Sequence, residues 1–286
     1  VNTIHAPRLR GEAKHDAGTR QLLAVVFVFG LVRLTALAAV PVPQTQTPGE
    51  ELRAAKLLEA ALFARHASDE EWETLAGIYA QLETKYPNDA AIKNGYAEFL
   101  WNRGDERQAV DHWLSAEKIE PTNAAVLDHL GGSYLAAGDP RKAAGYFARA
   151  VRSSPDDADY HFSYANVAFL FRHELHDSAH PDSESVLTEA LQQFSEASRL
   201  QPLNAEYARA YAEAFYTVAA PDWEKALAAW QHFFDLTPQK DFALLNLARV
   251  YLKLGRNEEA RASLERIQGA EYGRLKGQMS RKLDGK

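Results

Sequence analysis

A chain of 286 residues with 46% hydrophobic and 25% charged side chains has the balance of an ordinary globular protein. Its net charge of −7 leaves no basic stripe for phosphates, which argues against nucleic acid as a partner. The absence of any cysteine excludes disulfides, thiolate zinc sites, covalent haem attachment and cysteine nucleophiles.

Residues 1–20 form a basic segment carrying Arg8, Arg10, Lys14 and Arg20. Residues 21–39 follow, with the apolar run Leu22–Val32 and an Ala36-Leu37-Ala38 site. A basic start, a short apolar core and an A-x-A site are the layout of a secretory signal. The same stretch, extended from Leu22 to Val40, also approaches the length of a membrane anchor, since about 20 helical residues span a ~30 Å hydrocarbon core. Arg33 opposes that second reading at a cost of roughly 2.5–3.5 kcal/mol at mid-membrane. Both readings hold the basic end in the cytoplasm and carry the rest outside it. The expected location is therefore exported, periplasmic or membrane-anchored. A Pro/Gln/Thr-rich linker covers 40–48.

From residue 49 the pattern is helical throughout. Thr47-Pro48-Gly49-Glu50 is a capping-box start with proline in the first turn, and Ser68-Asp69-Glu70-Glu71 offers a second box. They open a degenerate first hairpin, as the end of a stacked array requires. A second hairpin, Ala90 to Pro121, turns at Gly104-Asp105. The third, Ala124 to Pro155, is the most regular: two helical patterns flank Gly138-Asp139-Pro140, a stop, a cap and a start in sequence. Small residues, Gly131 and Ala143, mark the expected close approach of its helices. The fourth hairpin carries an insert at about 171–186, the fifth turns at Pro221-Asp222, and the sixth turns at Gly255-Arg256-Asn257. Residues 49–269 thus form the repeat region, and 270–286 a weak capping helix with a basic tail.

The hairpins keep phase. Prolines 87, 121, 155, 202 and 238 step by 34, 34, 47 and 36 residues. Alanines 109, 143, 190, 226 and 260 keep pace, and Trp113, Phe147, Phe194, Trp230 and Leu264 follow each by four. A 34-residue helix-turn-helix period with this pattern resembles the tetratricopeptide repeat (TPR) family, over roughly Leu52 to Ile267. The resemblance implies an all-α fold, a right-handed superhelical solenoid of about six antiparallel hairpins. It also implies a concave groove lined by the first helix of each hairpin, through its second, fifth, ninth and twelfth residues.

Carried over to this chain, the groove positions include Asn94, Glu98, Trp101, Asp128, Phe162, Asn166, Phe169, Arg209, Glu213, Tyr216 and Arg249. Exposed aromatics at such places suit a binding hot spot, and amides between them suit a partner's backbone. The basic clamp by which some family members hold a terminal carboxylate is not matched: Asn94, Glu98, His129, Asp159 and Ser163 stand at those places. The insert brings His173, His176 and His180 together with Glu174 and Asp177. Imidazole and carboxylate suit a transition metal, but the spacing is not a zinc-protease motif, and the insert reads as a solvated loop with no cofactor. No acid, base and nucleophile converge elsewhere. The expected function is a non-catalytic scaffold outside the cytoplasm, binding a protein or peptide. The alternative is an accessory of an envelope enzyme or assembly complex, metal- or pH-responsive through the insert. A membrane tether and self-association are compatible with either.

Overall fold

The computed structural model describes residues 47–176 and 181–284. The basic segment, the apolar stretch at 21–39, nearly all of the linker, and Asp177 and His180 of the insert lie outside the described residues. Among the described residues there are thirteen α-helices and no strand. None of these helices is long and apolar enough to cross a membrane. The chain divides into two compact units after Leu82.

The first unit holds α1 (Pro48–Ala64) and most of α2 (Asp69–Lys85). Thr47 and Glu50 form the complete capping box expected of them. At the second start only half a box forms: the Glu71 carboxylate accepts from the Ser68 N–H at 3.0 Å, and Arg65 grips the same carboxylate from outside. Leu75 and Tyr79 are fully buried, and the Tyr79 hydroxyl donates to Glu59 at 2.8 Å. This hairpin therefore fills with a leucine the place that later hairpins give to alanine.

The second unit is an α-solenoid of five hairpins. They are α3 (Ala90–Asn102) with α4 (Glu106–Ile119), α5 (Ala124–Ala136) with α6 (Pro140–Ser153), α7 (Ala158–Leu170) with α8 (Ser183–Leu200), α9 (Ala205–Ala214) with α10 (Trp223–Leu236), and α11 (Lys240–Lys253) with α12 (Asn257–Glu265). We call the first helix of each hairpin A and the second B. Seven side chains of this unit cap helix starts by accepting N–H bonds: Asp89, Asn123, Asp139, Asp157, Asp182, Asn204 and Asp222. Each satisfies one of the orphan donors of a first turn. Gly104, Gly138 and Gly255 take φ of +89°, +79° and +71°, the left-handed conformation that ends an A helix and reverses the chain.

The core is built from the in-phase positions. Ala109, Ala143, Ala190, Ala226 and Ala260 are wholly buried, and Trp113, Phe147, Phe194, Trp230 and Leu264 are at most 5% exposed. One methyl per hairpin sets the helix spacing and one large side chain fills the space beyond it. Gly131 does this differently from the expected backbone-to-backbone contact. A Cβ there would stand 2.7 Å from the Phe147 ring, so the glycine makes room for an aromatic side chain. Each B helix also packs on the next A helix, as when Ala143 and Phe147 share a cluster with Val167 of α7. The array ends in α13 (Gly273–Leu283), whose Met279 is buried against Leu244, Leu245, Ala248 and Leu264. Asp241 anchors this end. It accepts from the N–H groups of Gln268 and Gly269 at 3.1 and 2.6 Å instead of capping α11.

Candidate partner-binding face

Because each hairpin repeats its neighbour's geometry, equivalent A-helix positions are brought side by side in the second unit. A series of contacts joins one A helix to the next. Glu98 of α3 lies 3.0 Å from His129 Nε2 of α5. The Asp128 carboxylate of α5 lies close enough to Ser163 and Asp159 of α7 to feel both, Ser163 lowering its pKa and Asp159 raising it. Tyr207 of α9 donates its hydroxyl to Asp159 of α7 at 2.5 Å. The Arg209 guanidinium of α9 lies 4.9 Å from the centre of the Phe242 ring of α11. Tyr216, just past α9, donates to the Asn246 carbonyl of α11 at 3.3 Å. One continuous A face therefore runs through all five hairpins of this unit.

The individual residues divide by what already occupies them. Asn94 is buried and fully engaged. Its Oδ1 accepts from the Trp113 indole N–H at 2.9 Å, and its Nδ2 donates to Glu98 at 2.6 Å. The aromatic positions pack inward while keeping an open edge. The half-buried Trp101 ring lies 5.5 Å from Trp113, Phe162 lies 4.4 Å from Tyr207, and Phe169 lies 6.1 Å from Phe194. Helix α9 ends at Ala214, so Tyr216 sits in the following turn and not on the helix. It remains 37% exposed, with its ring 5.9 Å from both Trp223 and Trp230.

The polar positions are more available. The half-buried Asn166 amide makes no hydrogen bond to any described residue. Arg209 and Glu213 pair at 2.9 Å across one turn of α9, with Arg209 exposed and Glu213 half-buried. Such a pair is held by less than about 1 kcal/mol and yields readily to a partner. Arg249 donates to the Asn246 side chain at 3.1 Å.

The charge is uneven along the face. Glu98, Asp128 and Asp159 make its first half acidic, and Asp157 adds to them. Asp128 carries the strongest mark of this. Burial pushes its carboxyl up to about 6, Asp159 and Asp157 push the same way, and His129 and Ser163 only partly oppose them. Its Oδ1 is buried without a hydrogen-bond partner among the described residues. Tyr160 stands amid the same carboxylates and is raised to about 12, first by burial and then by Asp157, Asp128, Asp159 and Glu98. Arg209 and Arg249 make the second half mixed. The sequence reading missed the parts played by Tyr160, Tyr207, His129 and Asn246. These lie beside the counted groove positions, and a period of 34 marks helices without showing which neighbours meet between them.

Away from the A face, His173 and His176 both reach Ser183, on the first turn of α8. Among the described residues no group of three or more His, Asp or Glu side chains converges as a metal site.

These features agree with what the chain resembles. The tetratricopeptide repeat model matches residues 130–178 and 216–273 of the chain. Among solved structures, Pseudomonas aeruginosa PilF superimposes with a TM-score of 0.57 at 15% identity, over 82% of this chain and all of that one. YrrB, described as a TPR protein with an unusual peptide-binding site, gives 0.54 at 16% identity, over 65% and 89%. MamA of AMB-1 gives 0.50 at 15% identity, over 64% and 96%. At these identities the likeness establishes the fold, a helical solenoid. A search of curated protein sequences returns no match.

Proposed function

We propose that the protein is a non-catalytic scaffold that holds a segment of a partner protein along its A face. The observation that carries this reading is the run of side-chain contacts from α3 to α11, which makes five separate helices into one surface. That surface offers what an extended or helical segment requires. There are apolar edges at Trp101, Phe162, Phe169 and Tyr216, an amide at Asn166 with no hydrogen bond among the described residues, and charges of both signs at Arg209, Glu213 and Arg249. The fold is shared with YrrB, which has a peptide-binding site, and repeat solenoids characteristically bind on such extended faces. The N-terminal sequence layout supports a position outside the cytoplasm, either after signal cleavage or on a membrane tether.

A site-specific photocrosslinker tests the face directly. Placed at Asn166 or Arg209, it should capture one discrete partner from an extract of the source cells. The same group at Gln192 of α8 or Gln231 of α10, on exposed B-helix positions, should capture none. Crosslinks arising only from the B positions would move the binding surface off the A face.

A further inference from the structure

The thirteen extra residues of the fourth hairpin do more than lengthen a loop. Phe171 and Leu175 pack beside the Ala143–Phe147–Val167 cluster, and Arg141 of α6 donates to the Glu174 carbonyl at 2.6 Å. The segment 171–176 is thereby held against the preceding hairpin. This fixes the origin of two imidazoles. His173 Nδ1 lies 2.8 Å and His176 Nε2 lies 3.1 Å from the same atom, the Ser183 hydroxyl oxygen. Two ring nitrogens from one turn of chain thus converge on a single point above the start of α8. A hydroxyl has one proton, so it can donate to only one of them. The other must turn its own N–H toward the oxygen, which a neutral imidazole does by changing tautomer. His176 also lies near enough to Asp182 to help hold that carboxyl below its usual range, after the larger effects of the Ser185 hydrogen bonds.

We infer that His173 and His176 are a chelating pair for one divalent transition-metal ion of the zinc, copper or nickel type, with the Ser183 hydroxyl beside it. Two imidazoles facing one oxygen are the donors such ions prefer, and a bound ion would take the place of their contacts to Ser183, about 2.0–2.1 Å from each nitrogen. Magnesium and calcium, which require oxygen ligands, are not matched. With two protein nitrogens the ion keeps open positions, which water or a partner's side chain fills. The site stands at the edge formed by the insert and the first turn of α8. Glu184 there accepts from the Ala219 N–H at 2.7 Å, so a bound ion would tie the insert to the start of α8, which already contacts the next hairpin.

Zinc titrated calorimetrically into the full chain, with zinc chloride as probe, tests the assignment. One ion per chain should bind. Each of His173→Ala and His176→Ala should weaken that binding at least tenfold, while His112→Ala and His232→Ala leave it unchanged. Magnesium at the same concentrations should give no heat. The inference is overturned if zinc shows no saturable binding to the wild-type chain. It is equally overturned if the ion stays bound at full strength to the double variant His173→Ala, His176→Ala. Because both rings are exposed, these variants should keep the parent's circular dichroism and melting temperature, which separates lost ligation from lost folding.

Discussion

Two indoles in equivalent places show how a single side chain decides a local balance. Trp113 and Trp230 both fill the space beyond a buried alanine, but only Trp113 finds a hydrogen-bond acceptor, the Asn94 Oδ1. At the place corresponding to Asn94 the fifth hairpin has Arg209, which accepts nothing, and the Trp230 indole N–H is left without a partner among the described residues. A buried polar group stripped of its partner costs about 1–3 kcal/mol. Asn94→Ala should therefore destabilise the protein by about that amount in urea unfolding, and Trp113→Phe should relieve part of the loss in the double variant. At Asp128 the linkage has a definite sign. Its folded-state pKa, near 6, exceeds the unfolded carboxylate value, so the folded protein holds the proton more tightly. Stability from this group is present at low pH and is lost as pH rises from about 4 through 6. Asp128→Asn should match the wild type near pH 4 and exceed it above pH 7, by up to about 3 kcal/mol. Chemical denaturation across that pH range gives the answer. A constant difference between the two proteins would show that Asp128 does not titrate in this way.

At the scale of the helix pair, stability rests on a repeated contact between something small and something large. Ala143 is wholly buried and packs in one cluster with Phe147 and Val167. Ala143→Leu forces extra volume into that contact, and overpacking of this kind costs typically 1–3 kcal/mol. In a solenoid the effect should be strongest in the neighbouring hairpins, so hydrogen exchange should accelerate in α5 to α8 before α11 and α12. Uniform exchange across the array would contradict nearest-neighbour coupling. Gly131→Ala belongs to the same contact. Alanine gains about 1 kcal/mol of helix propensity over glycine, but the new methyl meets the Phe147 ring at 2.7 Å. A lowered melting temperature is expected, and Phe147→Leu in the Gly131→Ala background should restore part of it.

Across the whole molecule, binding and folding draw on different residues of one face. Asn166 is half-buried without a hydrogen bond among the described residues, and Arg209 is exposed with only surface contacts to Glu213 and the Phe242 ring. Changing both to alanine should therefore cost little stability and weaken partner capture at least tenfold. Trp101 and Phe169 pack against core aromatics. The corresponding double alanine variant should lose stability as well as binding. Paired melting and binding measurements on the two double variants separate these outcomes. An Asn166, Arg209 variant that binds normally would remove the A face from the proposed function.

The hairpins, their order, the five buried alanines and the large residue four places after each were legible from periodicity. A repeating solenoid imposes the same packing demand on every unit, and each demand leaves its mark at the same step. Capping residues and the three left-handed glycines were legible too, since backbone groups at helix ends admit few side-chain solutions. The meaning of the groove positions was not. Counting placed Asn94 and Asn166 on equal footing, but Trp113 lies within reach of one amide and the other has no such neighbour. Counting also set Tyr216 on a helix that ends two residues earlier. Nor did spacing show that Asp241 would turn to the C-terminal segment, or that two histidines would meet at Ser183. These outcomes depend on which side chains from different hairpins come within about 3 Å of one another, which no single repeat encodes. A period fixes the shape of a unit; the contacts between units, made by residues that do not repeat, decide which parts of the face are structural and which stay free.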